Sequence, residues 1–265
     1  MTCGCVIFAY DGDIAYGPQA VLAARLVKKY LEIPVTLITN ESTASKTDLS
    51  SFDSVIYSEL SDIPNYRVLA GQQIAFKNTN RSSVYDLSPY DRTLVIDSDF
   101  LVFSDRLKSY LNTNYDFMIC EEMTDLVPGR PGSKVRFNPG SLDMLWATNI
   151  IFNKTPEVEA LFGLIEHIRE NWKWYSALYK FSAERFRNDY AFTVASHMMG
   201  DHFHVGLPSP VLFNDRDKLV KISDTGLTWV GGDQNQLVKT SGQDIHMMNK
   251  FDLLDNIDQL MELAK

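Results

Sequence analysis

The run Thr93-Leu94-Val95-Ile96, broken off by Asp97-Ser98-Asp99, limits the possible folds more than any other segment of the chain. Four apolar or β-branched residues in a row, without alternation, describe a strand covered on both faces, as in the middle of a parallel sheet. Other short runs agree with it. Cys5 to Tyr10, Val35 to Thr39, Ser54 to Tyr57, Phe117 to Cys120 and Thr148 to Phe152 read as further strands. Between the first two, residues from about Gly17 to Leu31 place Leu22, Leu26 and Tyr30 beside Ala23, Val27 and Leu31, two columns at spacing four that make one apolar helix face. Pro34 ends that helix. A polar stretch with some helical character leads to Lys77 and Arg81. Pro156 opens a helix to about Trp174, and a second runs from Asn188 to Met199. The tail shows short strands near Val211 to Phe213 and Leu227 to Val230, then an amphipathic helix from about Leu253. Strands alternating with helices give an α/β fold with a mostly parallel central sheet flanked by helices.

The length, 265 residues without internal repeat or linker, suits one domain with an elaborated C-terminal half. Lys and Arg number 25 against 34 Asp and Glu, a net charge of −9, which argues against broad nucleic-acid binding. A local exception is the Pro- and Gly-rich loop 128–140, where Arg130, Lys134 and Arg136 cluster. No apolar run approaches the roughly 20 residues of a membrane helix, so no membrane partner is expected. Met1 to Gly12 lacks the basic region and cleavage site of a signal peptide. Cys3, Cys5 and Cys120 read as reduced core thiols, too few for a zinc site of four ligands. These features predict a cytoplasmic setting.

The chemistry concentrates at Asp97 and Asp99. Residues two apart on an extended chain point the same way, so both carboxylates project together from the carboxyl end of the strand, where open α/β sheets bind ligands. Two adjacent carboxylates repel unless a positive charge lies between them. A hard divalent cation fills that role and can bridge to diphosphate oxygens. The alternative is two aspartates that cap a turn, a common use of Asp-x-Asp.

This arrangement resembles the GT-A glycosyltransferases, whose Asp-x-Asp motif binds Mn²⁺ or Mg²⁺ and the diphosphate of a nucleotide sugar. The resemblance implies a Rossmann-like GT-A domain over 1–265, with residues 1–100 as the nucleotide-binding half and 101–265 as the half for donor sugar and acceptor. In its glycogenin-like, retaining branch a late histidine completes the metal shell and a following lysine meets the phosphates. Asp244-Ile245-His246-Met247-Met248-Asn249-Lys250 offers both, with a shorter spacing and without the family's terminal Pro-Trp. The implied metal ligands are therefore Asp97, Asp99 and His246, and Mn²⁺ suits two carboxylates and an imidazole somewhat better than Mg²⁺. The implied substrate-binding residues are Phe8, Ala9, Tyr10 and Asp11 at the nucleoside, Lys77, Arg81, Ser98 and Lys250 near the phosphates or sugar, and Asn149 at the donor sugar. Lys77 and Arg81, four apart, would share one helix face. Asp189 is the implied catalytic carboxylate. An inverting enzyme would use it as a base, a retaining one only for its charge, and the late His-Lys pair favours retention.

The implied donor is a UDP-sugar; the acceptor stays open. Asn80 to Asp99 also resembles small glycosyltransferase-like proteins of tailed phages, which would make 5-hydroxymethylcytosine of DNA, or a sugar already on it, an acceptor. Arg130, Lys134 and Arg136 would then meet phosphates, in a host cytoplasm. A carbohydrate or protein hydroxyl is the alternative acceptor. A sugar-phosphate nucleotidyltransferase shares the architecture, but Asp11-Gly12-Asp13 is not its Gly-rich basic loop. Asp201, His202 and His204 read as structural, His197 with Met198 and Met199 as core. Trp172, Trp174, Tyr175 and Tyr179 read as mainly core, with exposed members able to stack on an acceptor.

Overall fold

A strand that is apolar throughout must be covered twice, and the chain does so by laying helices on both faces of one sheet. The computed structural model describes residues 1–59, 65–69, 71–75, 77–130, 135–137, 142–181, 185–200, 203–224, 226–232 and 235–265. Asp201, His202 and Lys134 lie outside the described residues. The central sheet contains, among the described residues, β1 (Cys3–Phe8), β2 (Val35–Thr39), β3 (Ser54–Tyr57), β4 (Arg92–Ile96), β5 (Phe117–Cys120), β6 (Trp146–Asn153) and β7 (Val205–Gly206). Their order in space is β7-β5-β6-β4-β1-β2-β3. Neighbours run parallel except at β6, which is antiparallel to β4 and β5.

Alternation along β1 shows why these strands read as unbroken apolar runs. Cys5 and Ile7 join the core beneath α1 (Tyr16–Leu31) with Leu22 and Leu26. Val6 and Phe8 join the opposite core, with Ile165 of α2 (Pro156–Glu170) and Phe192 of α3 (Asn188–Met199). Each fully buried side chain of this size contributes about 1.5–3 kcal/mol. Gly4 is fixed by close approach: a Cβ there would lie 2.3 Å from the Tyr90 ring, whose hydroxyl shares a 2.9 Å hydrogen bond with Thr36 Oγ1.

Several expectations shift. The helix predicted from Pro156 to about Trp174 is two helices, Pro156–Glu170 and Trp172–Leu178, because Asn171 breaks the ladder. Its side-chain Nδ2 donates to the His167 carbonyl at 2.9 Å. The polar stretch before Lys77 forms no helix among the described residues. It is a hairpin, Tyr66–Leu69 with Gln72–Ala75, turning at Gly71 with φ of +80° and packing Leu69 and Ile74 against Ile14. Lys77 and Arg81 consequently share no helix face, and Arg81 opens a short 3-10 turn instead. The terminal helix starts at Lys250 and divides at Asn256. His197 and Met198 are exposed rather than core, since α3 buries Ala191, Phe192, Val194 and Ala195. His204 bonds to Ser196 at 2.7 Å and faces Glu121.

Beyond the main sheet, Phe100–Leu101, Ile245–Met247 and Val211–Phe213 form a small sheet, and Lys218–Ser223, Gly226–Gly231 and Gln236–Lys239 an antiparallel one. All three thiols are free; burial pushes Cys120 up to about 12 and Cys5 higher still. No described helix is long and apolar enough to cross a membrane.

The two described arginines of the basic loop are both paired with carboxylates. The Arg130 side chain is buried, and its guanidinium pairs with Asp217, itself fully buried, and lies 3.6 Å from Asp125. Arg136 pairs with Asp143 at 2.7 Å on the exterior. Removing one partner of a buried pair strands the other charge, whereas an exposed pair contributes little. Arg130→Met is therefore expected to lower the urea unfolding free energy by about 3–5 kcal/mol, and Arg136→Gln by less than about 1 kcal/mol. Equal effects would refute this assignment of buried and exposed charge.

Candidate active site

β4 ends at Ile96, opposite Asn149 of β6, and the antiparallel partner holds the next residue as well: Asp97 N–H donates to the Thr148 carbonyl at 2.9 Å. The chain then turns, with Phe100 N–H on the Asp97 carbonyl at 3.0 Å, and leaves the sheet. Phe100–Leu101 pairs with Ile245–Met247 in antiparallel register, His246 opposite Phe100, and Met247 N–H donates to the Asp99 carbonyl at 2.9 Å. This short ladder brings a residue from the end of the chain against the acidic pair.

Asp97, Asp99 and His246 are the described residues that together could hold a metal ion: one ligand atom of each lies within 4.8 Å of the others. His246 Nε2 is 3.5 Å from Asp99 Oδ2 and 3.8 Å from Asp97 Oδ2. The other ring nitrogen is held from behind. Thr148 Oγ1 donates to Asp97 Oδ2 at 3.0 Å and sits 3.3 Å from His246 Nδ1. With its proton on Asp97, the hydroxyl can accept from Nδ1–H. In that tautomer Nε2, which faces the carboxylates, could bind a metal; with no metal it is placed to donate to Asp99. Two hard oxygens and an imidazole nitrogen at this spacing fit Mn²⁺ or a similar divalent cation.

Each carboxylate also has a cation of its own. Arg81 Nη1 donates to Asp97 Oδ1, and Lys250 Nζ to Asp99 Oδ2. Burial alone would push the Asp99 carboxyl up. The Lys250 ammonium and the His246 ring outweigh it and hold Asp99 well below the ordinary carboxylate range. Arg81 is itself buried, and its Nε and Nη2 have no hydrogen-bond partner among the described residues.

These groups face a cavity of about 390 Å³. Of the residues expected at a site, Phe8, Tyr10, Lys77, Arg81, Asp97, Ser98, Asp99, Asp189, His246 and Lys250 line it. Ala9, Asp11 and Asn149 are not in its wall, and hydrogen bonds explain the first two. Ala9 N–H and carbonyl are taken by the Ile38 carbonyl and Thr39 Oγ1. The Asp11 carboxylate accepts from Tyr16 and Gly17 N–H and so caps α1, while Lys77 reaches over Gly12 to the Asp11 carbonyl. Asn149 is wholly buried, and its neighbour Thr148 occupies the wall. Asp189 lines the cavity with its carboxylate engaged: Oδ1 accepts from Ala147 N–H and Oδ2 pairs with Arg187, both at 2.9 Å. Sequence reasoning chose Asn149 where its neighbour Thr148 lines the cavity, and missed Trp146, Tyr66 and Arg185. The Arg185 guanidinium lies 5.9 Å from the Tyr66 ring centre. A threonine within a strand gives no signal, and the hairpin that carries Tyr66 was read as polar and helical.

Bound at this site, a divalent cation would neutralise a diphosphate, with Arg81 and Lys250 placed to add positive charge. If Thr148 orients His246, Thr148→Val should weaken Mn²⁺ binding by roughly 10–100-fold, measured by paramagnetic resonance with UDP present, and Thr148→Ser should restore most of it. A valine variant that binds Mn²⁺ as the parent does would remove Thr148 from the site.

No family model matches the sequence, and no curated protein does. Solved structures do. The galactosyltransferase LgtC in complex with donor and acceptor sugar analogs aligns over 98% of this chain and 95% of its own, with a TM-score of 0.57 at 13% identity. An active-site mutant of LgtC aligns over 79% of this chain and 74% of its own, with a TM-score of 0.51 at 14% identity. The glycosyltransferase GlyE of Streptococcus pneumoniae is matched over 78% of this chain with a TM-score of 0.44 at 14% identity, and the chain spans 45% of that protein's length. The seven-stranded, mostly parallel sheet with its helices on both faces is the GT-A fold.

Proposed function

We propose that this chain is a metal-dependent glycosyltransferase that moves a sugar from a UDP-sugar to a hydroxyl acceptor with retention of configuration. The observation that carries the reading is the convergence of Asp97, Asp99 and His246 within 4.8 Å on the floor of the cavity. The GT-A fold supports it, as do Arg81 and Lys250 beside the carboxylates. Mn²⁺ or Mg²⁺ supplies the charge that stabilises departing UDP, so no acid is needed there. Phe8 and Tyr10, at the end of β1, suit the nucleoside end of the cavity, where an aromatic face can meet a base. Retention is favoured over inversion because Asp189 is held by Ala147 N–H and Arg187 rather than left as a free base.

The acceptor in this proposal is a hydroxyl of a carbohydrate or protein. Hydroxymethylated DNA loses a phosphate contact expected for it, since the Arg130 side chain is buried against Asp125 and Asp217. A sugar-phosphate nucleotidyltransferase would release pyrophosphate, not UDP, and so is told apart by product.

The test is release of UDP from UDP-sugars by the purified chain, with Mn²⁺ or EDTA, alone and with carbohydrate acceptors or hydroxymethylated DNA. Mn²⁺-dependent release is expected, with the anomeric configuration kept in the product. Asp99→Ala should reduce it by about three orders of magnitude or more, the loss of several kcal/mol of charge stabilisation. UDP-sugars neither bound nor hydrolysed in the presence of Mn²⁺ would refute the proposal.

A further inference from the structure

The acidic pair is already neutral without any added ion: Asp97 and Asp99 carry two negative charges, and Arg81 and Lys250, both buried, answer with two positive ones. We infer that this site admits a divalent cation only together with a diphosphate, through an exchange of ion pairs in which Arg81 and Lys250 turn from the carboxylates to the phosphates. The inference rests on the nucleotide-sugar reading above and goes beyond it, since it assigns the two cations a part in deciding what binds with what.

The argument is one of charge in a poorly solvated place. A cation added alone leaves two uncompensated positive charges among buried side chains, and unpaired charge is costly there. A diphosphate added alone leaves the opposite imbalance. Added together they cancel, the carboxylates holding the metal and the phosphates holding Arg81 and Lys250. Arg81 is built for the exchange. One nitrogen holds Asp97 while Nε and Nη2 are buried without partners among the described residues, and both atoms are ready for phosphate oxygens. Lys250, at the first position of its helix directly after the Asn249 cap, holds Asp99 in the wall of the same cavity. The two ligands should therefore show positive coupling, equal from either side by linkage.

The test is Mn²⁺ binding to the full chain, followed by the free-ion paramagnetic signal, with and without saturating UDP and with Mn²⁺–UDP association in solution subtracted by a protein-free titration. Mn²⁺ is expected to bind at least about tenfold more tightly with UDP, within the usual range of coupling between sites. In Arg81→Gln, Mn²⁺ affinity without UDP should rise and the enhancement by UDP should shrink; Arg81→Lys, which keeps the charge, should preserve the enhancement. Circular dichroism establishes that each variant is folded, and the comparison in the parent chain needs no variant. Equal Mn²⁺ affinity with and without UDP overturns the exchange while leaving the metal site in place, as does a folded Arg81→Gln that loses Mn²⁺ affinity without UDP. Mn²⁺ that binds neither alone nor with UDP overturns the nucleotide-sugar reading itself.

Discussion

The site depends on one short piece of antiparallel pairing, Ile245–Met247 against Phe100–Leu101, immediately after the second aspartate of β4's acidic extension. Two paired positions and the Met247 to Asp99 hydrogen bond would not hold a chain end in water. Here they are held by burial. Phe100, Leu101, Ile245 and Met247 sit in the core beneath α1, with Phe213 and Trp229. Leu253, Leu260 and Ala264 carry the tail on across the same core. Because the ladder alternates, His246 points away from Ile245 and Met247, out of that core and toward the carboxylates. Lys250 then enters as the first residue of the next helix. His246 and Lys250, the residues from the tail that meet the acidic pair, are therefore placed by the apolar packing of the tail, and loosening that packing would disperse the site before it unfolded the sheet.

How much of this was legible in the sequence follows from how local each signal is. β2, β3 and β5 are found at the residues expected, and β4 is extended by one residue, because buried strands write their burial into adjacent positions. The acidic pair was legible for the same reason, as polarity intruding where the strand stops. His246 was reached through resemblance; nothing in its neighbours shows that it faces a residue 147 positions earlier, whereas the ladder does. The hairpin at 66–75 was misread because its apolar members, Leu69 and Ile74, are too few for a period and its turn rests on a single glycine.

Charge was the least legible property. Arg130, Lys134 and Arg136 look alike in sequence, yet the Arg130 side chain is buried in a pair with Asp217, 87 residues later. Arg81 looks like any surface arginine and is buried against Asp97. A sequence reports that a charge exists; only the fold decides whether water or a carboxylate solvates it, and that decides whether the residue anchors the structure, meets a ligand or lies on the surface.

The unpartnered buried donors sharpen that distinction. Arg130 and Arg81 both have buried side chains. Arg130 engages its carboxylates with both terminal nitrogens, as an anchor should. Arg81 engages one carboxylate through one nitrogen, and its other two nitrogens, like Trp146 Nε1 on the same cavity wall, have no hydrogen-bond partner among the described residues. A buried donor without a partner costs about 1–3 kcal/mol, a substantial part of a domain's net stability. A fold that carries such a cost beside a paired acidic site, at the carboxyl end of its central strand, is less stable there than packing alone would allow. Ligand oxygens in that cavity would restore the missing bonds, so binding should be strongest for a molecule rich in acceptors, as a diphosphate joined to a sugar is.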